Sequence, residues 1–179
     1  MGPQLDALRE QLPEAARDLK LNLSAVLGDG ALSPEQRWGV ACAAAFSTRD
    51  VAFSTAMVQD ARAAGISDAT IDDARAAAVL MGMNNVYYRF RHFMKDAGRT
   101  TYGDKPARLR MQRIAKPAGD KALFELMCLA VSAIGGCELC VQSHELVVLQ
   151  AGLTDDQVHD AVRVAATVNG VATARAIQA

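Results

Sequence analysis

The chain has 179 residues, 51% of them apolar, and balances 19 Lys and Arg against 20 Asp and Glu for a formal net charge of −1. At this length folding can bury roughly 70% of the unfolded chain's surface, so a core needs no covalent or metal staple. No run of like charge exceeds two residues, which argues against a nucleic-acid groove or a basic membrane-binding face. Alanine contributes 34 residues and aromatics only 5%. That composition favours closely packed helices over sheet and excludes disorder as the main state. Met1 to Glu10 carries neither the basic start nor the apolar core of a secretory signal. No stretch approaches the ~18 apolar residues of a membrane span, and the expected setting is cytoplasmic.

Taken in order, the chain predicts one helix after another. Pro13 can open the first, whose apolar positions Leu19, Leu23, Val26 and Leu27 lead to the Gly28-Asp29-Gly30 break. Ser33-Pro34-Glu35-Gln36 reads as a capping box and starts a helix through Trp38, an expected core anchor, to Phe46. Asp50 to Ala64 forms the next, closed by Gly65, and Ser67 caps another that runs to about Leu80. Asn84 to Lys95 reads as a separate helix, with the amides of Asn84 and Asn85 at a junction or interface and no chemistry to assign them. Residues 96–106 form the clearest loop, and a short helix is expected from Arg108 to Ala115. Asp120 to Ile134 is apolar and helical and ends at Gly135-Gly136; Cys137 to Gln150 follows, then Thr154 caps another helix, and a last stretch from about Val171 runs to the end. No strand is evident, so the fold class is all-α.

An internal echo suggests two related halves. Ala64 to Ala74 matches Ala151 to Ala161 at an offset of 87 residues, keeping Ala, Gly, two Asp and Ala in place. The first half, about 30–95, would then be degenerate, because Cys137, Cys140 and His144 fall opposite Asp50, Phe53 and Met57. The second, about 117–179, would carry the chemistry.

Of the cysteines Cys42, Cys128, Cys137 and Cys140, only the last two are close together. A Cys-x-x-Cys that leads a helix has a physical rationale: free N–H groups and the positive end of the helix dipole favour thiolate, lowering a cysteine pKa from ~8.5. One helical turn between the sulfurs also lets them close a disulfide. His144 lies four residues after Cys140, on the same helix face, where an imidazole can take the thiol proton. Glu125, on the preceding helix, is the natural group to orient that imidazole if the two helices pack back to back. Spacing alone leaves three readings open. The pair can be a redox dithiol; half of a zinc site with His144 and Cys128 completing it; or two cysteines packed as small hydrophobes. Cys42 and Cys128 read as inert core residues, the methionines as core packing, and His92 and His159 as surface positions.

Glu125, then Cys137-x-x-Cys140, then His144, together with Asp18 to Leu23 and Met81 to Arg89, resembles the alkyl hydroperoxide reductase D (AhpD) family of the carboxymuconolactone decarboxylase-like superfamily. The resemblance covers nearly the whole chain. It implies an all-α fold of two related halves, assembled as a homotrimer, and a lipoyl-dependent peroxidase and antioxidant disulfide reductase. Electrons would come from dihydrolipoamide on a lipoyl-bearing 2-oxoacid dehydrogenase subunit and pass to the peroxiredoxin AhpC, with weaker direct reduction of organic hydroperoxides. No tightly bound cofactor or metal is implied. By position, Cys140 would be the attacking thiol that forms a sulfenic acid or a mixed disulfide with the peroxiredoxin. Cys137 would be the proton donor and resolving thiol of the redox disulfide, and Glu125 and His144 would form the proton relay. The helix dipole by itself favours Cys137, but a positioned base acts specifically and favours Cys140. The rival enzyme reading is a carboxymuconolactone decarboxylase-like activity; the rival outside enzymes is a zinc-binding helical module.

The sequence departs from the family pattern at one position: several members carry histidine immediately before the second cysteine, where this chain has Leu139, preceded by Glu138. The change removes a proton donor and thiolate partner. Leu139→His is therefore expected to shift the pH profile of hydroperoxide turnover and raise its rate. A steady-state pH series that matches the unsubstituted protein in both respects would show the position to be inert.

Overall fold

A computed structural model describes residues 1–177. Among them are nine α-helices and no strand: α1 (Pro3–Glu10), α2 (Arg17–Val26), α3 (Pro34–Ser47), α4 (Val51–Ala63), α5 (Asp68–Asp96), α6 (Gln112–Ala115), α7 (Lys121–Ile134), α8 (Glu138–Gln150) and α9 (Asp155–Ala176). The fold is all-α, as expected. Residues 178–179, to which the last helix was expected to run, lie outside the described residues.

The centre is α3, which packs against α4, α5, α7 and α9. Its capping box forms as the sequence predicts: the Gln36 N–H donates to Ser33 Oγ at 3.2 Å and the Ser33 N–H to Gln36 Oε1 at 2.9 Å. Every residue from Arg37 to Ala45 is buried, including Trp38. Alanines at 41, 43, 44 and 45 leave little side chain between backbones, so several helices can approach one axis. The second buried helix is α7, solvent-free from Leu123 to Ser132 and in contact with α3, α5, α8 and α9. On each side of the expected repeat the same order recurs, a shorter helix, a glycine stop and a long capped helix, as α4 to α5 and α8 to α9.

Where the elements depart from expectation, a distant side chain is usually the reason. The unforeseen α1 has Gly2 at its N-cap and no local capping side chain. Asp60, buried on α4, supplies the cap by accepting from the Gln4 and Leu5 N–H groups at 3.2 and 2.9 Å. The break expected between Leu80 and Asn84 is absent: α5 runs unbroken for 29 residues. Its Asn85 carboxamide faces α7, accepting from Ser132 Oγ at 3.0 Å and donating to the Val131 carbonyl at 3.5 Å. This packing outweighs the weak helix propensity of the two amides. The stretch from Thr154 and the one from Val171 likewise merge into a single helix, α9.

The helix expected from Arg108 shrinks to the one turn of α6, because Arg108 takes a left-handed backbone conformation (φ 52°) that no right-handed helix contains. What anchors this segment is Asp73 on α5, almost fully buried. It accepts from Arg113 Nε and Nη2 at 3.0 and 2.8 Å and from the Ala118 and Gly119 N–H groups at 2.9 and 2.7 Å. Removing an acceptor of four bonds strands the Ala118 and Gly119 amides and leaves Arg113 its pairing with Asp72. Asp73→Ala is expected to cost about 3 kcal/mol, seen in urea unfolding as a lower midpoint at unchanged slope. A loss below about 1 kcal/mol would show that the segment is held by its apolar contacts instead.

Candidate active site

The site begins with how α7 ends. Gly136 is left-handed (φ 62°); its N–H donates to the Ala133 carbonyl and the Cys137 N–H to the Ser132 carbonyl, both at 3.2 Å. This is a Schellman stop. Cys137 is at once the last residue of that stop and the N-cap of α8, which puts Cys140 in the helix's first turn. The turn is braced from α5: Arg89 Nη1 donates to the Gly135 carbonyl at 2.5 Å, and a Cβ at Gly135 would run into the Asn85 amide.

Cys137 and Cys140 form a disulfide with Cα atoms 5.3 Å apart. The two sulfurs are not equally placed: Cys137 is sealed, whereas Cys140 (7% exposed) lines a cavity of about 280 Å³. One wall comes from α8 through Leu139, Ser143 and His144, and the other from Asn84 and Tyr88 of α5 with Met111 and Ile114. A larger groove of about 740 Å³ runs along α5 beside α7 but reaches no cysteine. Cys42 and Cys128 are free and buried, as expected. Burial pushes the Cys42 thiol up to about 12, and burial with the Glu125 charge pushes Cys128 higher still. Neither supplies a thiolate near neutral pH.

Glu125 and His144 do meet. Glu125 sits inside the buried run of α7, its Oε2 2.6 Å from His144 Nδ1, and Lys121 one turn earlier pairs with its other oxygen. A carboxylate in such surroundings has to be compensated. Burial alone would raise its pKa, yet the hydrogen bonds from His144 and Lys121 outweigh that and hold the carboxyl below its ordinary value. The other imidazole nitrogen, Nε2, lies 3.3 Å from Met81 Sδ. No hydrogen bond joins His144 to Cys140 among the described residues in this oxidised state. The two share the cavity wall instead.

Sequence reasoning missed several participants. Lys121 could have been found, since it stands four residues before Glu125 on the same helix face. Met81, assigned to core packing, is buried there but also contacts the imidazole; Tyr88, Met111 and Ile114 carried no signal. His92 lies half-buried beside the site, with Nε2 3.4 Å from Asp96 Oδ2 and from Glu138 Oε2, and His159 is exposed. The zinc ligand set considered above does not assemble: among the described residues no three His, Cys, Asp or Glu side chains group to hold a metal ion.

A family model described as "Carboxymuconolactone decarboxylase family" matches residues 101–179. The chain is similar to "Alkyl hydroperoxide reductase AhpD" of Anaeromyxobacter dehalogenans (strain 2CP-C), with 58% identity over 170 residues, 95% of this chain and 89% of the relative. It is also similar to proteins of the same name from Gluconacetobacter diazotrophicus, 47% identical over 94% of this chain and 90% of the relative, and Maricaulis maris, 46% identical over 97% and 98%.

The depressed pKa of Glu125 makes a stability prediction. As pH falls, the unfolded chain binds this proton first, at its ordinary value of 4.5. The carboxylate's contribution is therefore complete above that value and is lost as pH drops through the lower native one. Glu125→Gln removes the titration, so its thermal midpoint should fall less steeply than the unsubstituted protein's between about pH 5 and 3. Parallel acid limbs would sink this account of the pair.

Proposed function

Because the chain belongs to the alkyl hydroperoxide reductase AhpD family, we propose that it is a peroxide-reducing oxidoreductase working through a Cys137/Cys140 dithiol–disulfide cycle. The observation that carries the reading is a disulfide whose outer sulfur opens on a cavity beside a buried carboxylate–imidazole pair.

The oxidised state is reduced by dihydrolipoamide on a lipoyl-bearing 2-oxoacid dehydrogenase subunit. One lipoyl thiolate attacks Cys140, the sulfur that faces the cavity, forming a mixed disulfide. Cys137 leaves as a thiolate, stabilised at the N-terminus of α8. The second lipoyl thiol displaces Cys140, giving lipoamide and the dithiol. In the other half-cycle His144 takes the Cys140 proton. Glu125 accepting from Nδ1–H leaves Nε2 as the basic nitrogen, and a thioether sulfur, a weak acceptor, does not compete for the proton. The Cys140 thiolate then attacks the disulfide of the peroxiredoxin AhpC or, more slowly, a hydroperoxide, and Cys137 resolves the mixed disulfide or sulfenic acid back to the Cys137–Cys140 bond. The reading includes a homotrimer. Its support is the exposed stripe Val79, Val86, Phe90 and Phe93, spaced at helical repeats along α5, which a second copy would cover. It also takes the protein as cytoplasmic, where a dithiol can be kept reduced; among the described residues no helix is long and apolar enough to cross a membrane.

The family model's name favours one alternative, a decarboxylase-type activity. That chemistry would not need the thiols, so alkylating Cys137 and Cys140 would spare it. The direct test is intact and peptide mass on the reduced protein before and after lipoamide or cumene hydroperoxide. A Cys137–Cys140 link that forms with both and reverses with dihydrolipoamide is expected. Cys140→Ser should abolish both reactions, while Cys137→Ser should trap a sulfenic acid or mixed disulfide at Cys140. No link under either oxidant would sink the dithiol reading.

A further inference from the structure

Charge is unevenly placed along the chain. Residues 89–121 carry ten Lys and Arg against three Asp, whereas the whole chain balances to −1. The cations stand singly, so no run marks them, yet the stretch is net +7 and the remainder −8. Four of the ten are engaged: Arg89 with the Gly135 carbonyl, Arg91 with the Gly103 carbonyl, Arg113 with Asp72 and Asp73, and Lys121 with Glu125. The other six, Lys95, Arg99, Lys105, Arg108, Arg110 and Lys116, are exposed and meet no carboxylate among the described residues. Two of the three acids are occupied locally, Asp96 at His92 and Asp120 as the cap of α7. Six unopposed cations on one segment leave a positive field that an acidic partner would neutralise.

The same segment frames the site. Met111 and Ile114 line the cavity over Cys140, and Arg91, His92, Lys95, Thr100 and Gly103 line a second cavity of about 410 Å³. Tyr88 and Leu139 belong to both, so the two adjoin. Glu138, next to Leu139 on α8, is held by His92 at 3.4 Å and by Gln142 at 3.0 Å. Disulfide exchange brings the incoming sulfur to about 2 Å from the sulfur it joins, and Cys140 is only 7% exposed. A folded carrier therefore reaches it by a slender arm, with its own body resting on the rim. A nucleic acid seated there would close the cavity and has no thiol to exchange. On α5, Tyr88, Arg91 and Lys95 recur at spacings of three and four, on the side opposite Val79, Val86, Phe90 and Phe93. The apolar stripe and the basic rim thus face different neighbours.

We propose that the basic segment from Lys95 to Lys116 is the docking face for the lipoyl-bearing carrier, whose acidic surface seats on it while its dithiol arm enters the cavity over Cys140. This inference rests on the dithiol reading above and adds where the carrier binds and the charge it presents. The exchange itself is unchanged: two electrons and two protons pass from the lipoyl dithiol to the Cys137–Cys140 bond, leaving a lipoyl disulfide and two thiols. What the face supplies is rate. A segment of +7 set against a remainder of −8 gives the molecule a directed field despite its net charge of −1. That field turns an acidic carrier toward the site before contact.

The test follows reduction of the oxidised protein, by alkylation and mass, with three reductants: free dihydrolipoamide, a dihydrolipoyl-lysine peptide flanked by glutamates, and the same peptide flanked by lysines. At low salt the glutamate peptide should react about tenfold faster than the lysine peptide, a preference that falls below about twofold in ~0.5 M salt. The combined variant Arg99→Glu, Lys105→Glu and Arg110→Glu changes three exposed positions that line neither cavity. It should reverse the preference and leave the free dihydrolipoamide rate within about twofold. Two peptides that react alike with the unsubstituted protein at low salt overturn the proposal, with no variant needed. So does a preference that the combined variant retains. Capture of duplex DNA at physiological salt, lost in the variant, would assign the face to nucleic acid and overturns it as well. If free dihydrolipoamide reduces the disulfide while the peptides do not differ, this inference fails alone; if free dihydrolipoamide does not reduce it, the dithiol reading fails too.

Discussion

A single buried carboxylate sets the geometry on which the rest of the site depends. Glu125 lies in a stretch of α7 where ten consecutive residues are out of solvent. An unpaired charge there would cost several kcal/mol. Lys121 reaches it from one turn away and His144 from the next helix. The second contact ties α8 to α7 in a register that puts Cys140, one turn before His144, in the cavity wall. The Schellman stop at Gly136 makes the hairpin tight enough for the register to be reached, and Asn85 and Arg89 hold the stop against α5.

The four cysteines show how environment divides one side-chain chemistry into different roles. Cys42 and Cys128 sit in α3 and α7, where burial keeps them as thiols. Cys137 and Cys140 stand where α8 begins, at the positive end of its dipole, and only the second lines open space. A cycle between dithiol and disulfide can therefore run at one end of one helix without involving the other two sulfurs.

Long-range polar ties do comparable work in the fold. Asp60 caps α1 from α4, Asp73 gathers the segment before α7 onto α5, and Arg175 Nε donates to Asp50 Oδ2 at 2.7 Å, joining α9 to the start of α4. In each case a carboxylate meets donors at least 40 residues away in the chain. This is why helix starts with a local signal, Ser33, Asp50, Ser67, Asp120 and Thr154, were legible, whereas the start of α1 was not. It is also why the junction read at Asn84-Asn85 disappears: the Asn85 amide is satisfied by Val131 and Ser132 on another element.

The all-α class, most helix boundaries and the set Glu125, Cys137, Cys140 and His144 followed from sequence, because caps, periodicity and the spacing of two residues on one helix are local properties. Tertiary structure alone decided which of those residues touch. It turned Glu125 from a residue on an apolar helix into the partner of His144, brought Met81 to the imidazole's other nitrogen, and sealed Cys137 while opening Cys140. It also gave two adjacent asparagines opposite fates, one bonded across to α7 and one with its Oδ1 buried and without a hydrogen-bond partner among the described residues. The physical reason is common to all of these: burial and hydrogen-bond satisfaction depend on neighbours that the chain brings together from far apart, and no local pattern encodes them.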